Sequence, residues 1–107
     1  MNREIPFDGR RLRSVQRVRD LDGVTLTIEL QWLPRLSGWY ADVRNAEGDL
    51  IVAGRRVEPG AASLIPDLTS PGVPPGVLIA DGPEVYDPSA LGSLLTIEYL
   101  PVAMLVD

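Results

Sequence analysis

Histidine, cysteine and lysine are all missing from the 107 residues. Without cysteine there are no disulfides, thiolate metal sites or cysteine nucleophiles. Without histidine the usual general base near neutral pH and the commonest metal ligand are gone, and with them any Ser-His-Asp triad. The absence of lysine removes Schiff-base chemistry and a phosphate-loop lysine. All ten basic residues are therefore arginine, the cation suited to fixed bidentate pairing at interfaces rather than to proton transfer. Long apolar runs are absent too. No stretch approaches the ~18 residues of a membrane span, and the first residues lack the apolar core of a signal peptide. The chain is expected to be soluble where it is made.

Carboxylates, hydroxyls and tyrosines remain. A carboxylate pair can cleave a glycosidic bond or hold a hard cation, but most acids here sit singly beside turns or on strand faces. Asp81, Glu84 and Asp87 follow no calcium-loop spacing, and Pro83 and Pro88 stiffen that segment. No catalytic residue, metal site or cofactor is expected, and the chain reads as a non-enzyme without a small-molecule substrate.

The length fits one domain over residues 1–107, with an N-terminal arm over 1–10 and an apolar tail over 101–107. An apolar fraction of 45% fills one modest core. The net charge of −5 is unevenly spread. Residues 1–20 hold six arginines against Glu4, Asp8 and Asp20, whereas residues 21–107 hold four arginines against twelve acids. The body is thus a poor partner for nucleic acid, while the N-terminal segment suits an acidic surface.

Period-two patterning dominates. Val24, Leu26, Ile28, Leu30 and Trp32 alternate with Thr25, Thr27, Glu29 and Gln31, the signature of a half-buried strand. Asp22-Gly23 before it accepts the positive φ angles of a type I′ turn, which makes residues 11–20 a hairpin partner. In that register Leu12, Ser14, Gln16 and Val18 share one face, and Arg11, Arg13, Val15, Arg17 and Arg19 form an arginine ridge on the other. The spacing of Leu12, Val15 and Val18 leaves a helix as the rival. Further strands are expected over residues 39–44, 50–57, 61–65, 76–80 and 94–100, with a turn at 45–49. Gly54 marks a bulge or a close backbone approach. Eight of the ten prolines lie at or beyond Pro59, so the second half is loop-rich. Six or seven short strands and no convincing helix predict an all-β fold, a small antiparallel barrel or sandwich. No internal repeat or dividing linker is visible.

Candidate contact residues follow from this layout. Arg11, Arg13, Arg17 and Arg19 can dock on an acidic protein, can meet phosphate, or can be a solvated strand face whose stems cover apolar surface. Direct nucleic-acid binding is disfavoured, because no aromatic stacking platform accompanies the arginines. Trp32 and Trp39 can anchor a partner or belong to the core. The tail bears Val102, Met104, Leu105 and Val106, a row that a soluble monomer should not leave in water. It either completes the core or inserts into a neighbour.

Ile5-Pro6-Phe7, Leu21-Asp22-Gly23, Gly38-Trp39-Tyr40-Ala41-Asp42-Val43, Glu47-Gly48-Asp49 and Leu50-Ile51-Val52-Ala53-Gly54 form a pattern by their order and spacing. Val57-Glu58-Pro59-Gly60, Leu64, Pro75-Gly76-Val77-Leu78, Asp87-Pro88, Leu91-Gly92 and Glu98-Tyr99-Leu100 complete it. The chain resembles, over about residues 5–100, the small phage proteins that plug the baseplate of contractile tails. It departs from them at Leu33-Pro34, where the family more often has a polar turn residue. The resemblance implies a structural part of the virion, assembled in the host bacterial cytoplasm and placed at the tip of the tail. Hub, spike and tail tube proteins would be its partners, in several copies around the tail axis. A freestanding β-barrel adaptor, holding a protein or single-stranded nucleic acid through the arginine strand, is the alternative.

Overall fold

The computed structural model describes residues 3–59, 63–65, 72–83, 88–92 and 95–101. These form seven strands: β1 (Arg3–Ile5), β2 (Arg13–Leu21), β3 (Val24–Leu33), β4 (Gly38–Arg44), β5 (Leu50–Arg56), β6 (Val77–Asp81) and β7 (Thr96–Leu100). The only helical pieces among the described residues are the single 3-10 turns Pro34–Leu36 and Pro88–Ala90. Two antiparallel sheets result, one ordered β2-β3-β4-β5 and the other β1-β7-β6. The barrel alternative is therefore corrected: the strands split into two sheets and do not close.

Alternation fixes the register. Leu26, Ile28, Leu30 and Trp32 of β3 are buried, as are Trp39, Ala41 and Val43 of β4. From the second sheet Ile5, Leu78, Ala80, Ile97 and Tyr99 join the same apolar cluster. A one-residue slip of any of these strands would turn its apolar row to water. Each fully buried Leu or Ile contributes about 1.5–3 kcal/mol.

Residues 13–20 are strand, preceded by a bend at residues 11–12, which removes the helical rival: β2 pairs with β3 from Arg13↔Gln31 to Val18↔Leu26. The pairing steps out of register between Val18 and Leu21, where Asp20 adopts φ 61°. Asp22 (φ 52°) and Gly23 (φ 83°) then make the two-residue turn as a type I′ turn. Gly54 resolves as a bulge. It sits at φ 60° with open space where a Cβ would stand, and its N–H donates to Asp42 Oδ1 at 2.7 Å.

Three expectations change. Arg3–Ile5, assigned to an arm, pairs with β7 and buries Ile5. Of the strand expected over 61–65, residues 61–62 lie outside the described residues and 63–65 are not strand, although Leu64 N–H donates to Leu78 O at 2.8 Å and Leu64 and Ile65 are buried. Leu12, placed on the inward row, precedes β2 and is 54% exposed.

A buried polar contact helps to tie the two sheets together. The Tyr99 hydroxyl, at the end of a buried side chain on β7, donates to Asp22 Oδ2 at 2.6 Å and accepts the Gly76 N–H at 2.8 Å. Burial, then the bond to Asp22, pushes the phenol up to about 12. A Cβ on Gly76 would lie 2.1 Å from Leu100 O and 2.5 Å from that hydroxyl, so only glycine fits there.

Candidate partner-binding surface

The outward row of β2 carries Arg13, Val15, Arg17 and Arg19, all exposed. Period two puts them there, because Ser14, Gln16 and Val18 take the inner positions opposite Leu30, Ile28 and Leu26. Val15 is 52% exposed between two arginines. The ridge is not a uniform block of free cations. Arg13 is tied diagonally across the ladder to Glu29, with Nη2 at 2.6 Å and Nε at 2.8 Å from Oε1. Arg17 and Arg19 form no ion pair among the described residues. The Arg3 guanidinium donates to Arg19 O, which anchors β1 beside the end of β2. Arg11 lies exposed in the bend before the strand. Beyond Arg13 the face becomes mixed: Arg13, Val15, Thr27, Glu29, Asp42 and Arg44 line a shallow groove of about 230 Å³.

Of the eight candidates, the structure thus brings Arg13, Arg17 and Arg19 onto one strand face, with Arg11 just beyond it. Val102, Met104, Leu105 and Val106 lie outside the described residues. Trp32 and Trp39 belong to the core: they face each other across β3 and β4, with ring centroids 5.7 Å apart in an edge arrangement. The Trp39 Nε1–H is buried without a hydrogen-bond partner among the described residues. Among the described residues no group of three or more acids is placed to hold a metal ion.

A second surface has almost no signal in the sequence. The turn between β3 and β4 exposes Pro34, Arg35 and Leu36. It is braced from behind by Arg56, whose Nη1 donates to Leu36 O at 3.1 Å and to Tyr40 Oη at 3.0 Å. The guanidinium also stands 5.8 Å from the Tyr40 ring centroid, close enough for a cation–π contact. Gly38 makes room for it: a Cβ there would meet the guanidinium carbon at 2.9 Å. Ser37 turns the chain at φ 47°, an uncommon angle for a residue with a side chain. In the sequence, Leu36-Ser37-Gly38 reads only as a chain break. The one hint of exposure is Leu36 standing outside both period-two rows.

No curated protein matches the chain. The family model described as cyanophage baseplate Pam3 plug gp18 matches residues 2–100, which takes in both sheets and the whole of β2. The chain belongs to this family of phage baseplate plug proteins.

Proposed function

We propose that the chain is a structural part of a contractile-tail baseplate that plugs the tip of the tail tube and contacts hub and spike proteins. Its work is interface burial, not catalysis: it needs no cofactor, small-molecule substrate, membrane or nucleic acid. Assembly takes place in the host bacterial cytoplasm, with several copies set around the tail axis. The observation that carries this reading, beside family membership, is the exposed row Arg13, Val15, Arg17 and Arg19. There an exposed apolar side chain lies among arginines, the charged residue type enriched in protein interfaces. Arg17 and Arg19 pair with carboxylates of a neighbour, and Arg11 extends the same cationic edge. Val102, Met104, Leu105 and Val106, outside the described residues, either complete the core or insert into an adjoining subunit.

Co-expression of the chain with the hub and spike proteins of its own phage tests this. A stable complex is expected, and Arg17→Glu with Arg19→Glu should weaken it at low salt, because charge reversal removes two favourable pairs and adds two repulsions. Absence of any complex with the unaltered chain contradicts the proposal.

A further inference from the structure

Four large apolar side chains stand in solvent among the described residues: Leu12, Val15, Leu36 and Leu50. Three of them mark opposite ends of the four-stranded sheet. Leu12 and Leu36 share one end, since Leu12 O accepts the Trp32 N–H at 2.8 Å and Leu36 follows β3 in the braced turn. There Leu33, Pro34, Arg35 and Leu36 line a largely apolar hollow of about 460 Å³, open to solvent. Arg35 lines it and Arg11 precedes Leu12 at the same end of the sheet, both exposed and without an ion pair among the described residues.

Leu50 lies at the other end, beyond the turn that joins β4 to β5. Exposed Glu47 and Asp49 precede it and exposed Arg44 stands opposite it on β4, so this end offers an apolar knob whose flanking charges sum to negative. The knob has a fixed shape. Buried Asn45 accepts the Glu47 N–H at 3.1 Å and the Asp49 N–H at 2.9 Å through Oδ1, and Arg44 Nη1 donates to Gly48 O at 3.1 Å. Seven residues of β4 separate knob from hollow, roughly 24 Å at the rise of an antiparallel strand.

Opposite charge and matching apolar content at opposite ends describe two halves of one contact. We infer that the chain binds a second copy of itself head to tail. Leu50 of one copy enters the hollow beside Leu36 of the next, and Glu47 and Asp49 meet Arg11 and Arg35. The inference rests on the reading of the chain as a plug present in several copies. Such a contact uses two different surfaces, so it closes into a ring when the rotation allows and runs on otherwise.

Because the chain has no cysteine, the double variant Leu36→Cys/Leu50→Cys carries only two thiols, too far apart to be bridged within one molecule. Treatment with a short bifunctional maleimide should give a ladder on a denaturing gel that ends at the ring size. A mixture of the two single variants should stop at dimers. Arg35→Glu should cut cross-linking by roughly fivefold or more, and adding Glu47→Arg and Asp49→Arg should restore it. Efficient linking by Leu36→Cys alone overturns the head-to-tail arrangement. So does failure of the double variant to link both free and in complex with hub and spike proteins. If such an unlinked chain still co-purifies with hub and spike, self-association falls and the plug function stands. A ladder without co-purification supports self-association and removes the plug function.

Discussion

Replacing Tyr99 by phenylalanine removes one oxygen from the join between the two sheets, and its cost can be worked from two hydrogen bonds. The hydroxyl donates to the Asp22 carboxylate at 2.6 Å and accepts the Gly76 N–H at 2.8 Å, and the side chain is buried. A hydrogen bond to a charged group contributes about 1.5–3 kcal/mol, and a buried N–H left unpaired adds about 1–3 kcal/mol. Some relaxation is certain, so Tyr99→Phe should cost about 2–4 kcal/mol. With a slope near 2 kcal/mol per molar, that lowers the urea midpoint by roughly 1–2 M. The same bonds predict a pH dependence. In the unfolded chain the phenol titrates near 10, and in the folded protein it is pushed up to about 12. Between these values the unfolded state has lost the proton while the native state keeps it, so stability is complete below pH 10 and falls as pH rises toward 12. At pH 11 the loss is at most about 1.4 kcal/mol. With lysine and cysteine absent, few other groups titrate in this window. Urea unfolding followed by the fluorescence of Trp32 and Trp39, at pH 8 and pH 11, measures both effects. The gap between native chain and variant should be widest at pH 8 and narrow at pH 11. A variant within about 0.5 kcal/mol of the native chain, with a parallel pH profile, refutes the reasoning.

Other substitutions sort the remaining contacts by the same urea assay. Gly76→Ala should destabilise by at least about 2 kcal/mol, because its Cβ runs into the Leu100 carbonyl and the Tyr99 hydroxyl. Ile28→Ala, which empties a fully buried position of β3, should cost about 2–5 kcal/mol. Arg13→Ala should cost less than about 1 kcal/mol, because its exposed pair with Glu29 is screened by water. Asn45→Ala should cost about 1–3 kcal/mol by leaving the Glu47 and Asp49 N–H groups of the knob without their side-chain acceptor.

Local chemistry explains which parts of the fold are readable in the chain. The row Leu26, Ile28, Leu30 and Trp32, the Asp22-Gly23 turn and the bulge at Gly54 each express a constraint spanning a few residues. All three stand in the structure as the residues predict. The outward set on β2 is readable for the same reason. What separates two sheets from a barrel is not local: β1 must pair with β7 across more than 90 residues, and Tyr99 must reach Asp22 across 77. Nothing in period-two alternation states which strand lies beside which. Burial of Asn45 is equally hidden, because a polar residue in a turn cluster ordinarily reads as solvated, and here its amide serves backbone donors inside the turn. Leu12 misleads in the opposite sense. Its parity places it inward, but β2 starts one residue later and leaves it at the sheet's end.

A reconstruction of the tail tip assembled from this chain with its hub and spike proteins tests the central claim most directly. Density for several copies around the tube axis is predicted, with Arg17 and Arg19 of β2 buried against a neighbouring protein. A tip that closes without the chain, or one in which that face of β2 looks into solvent in every copy, contradicts it.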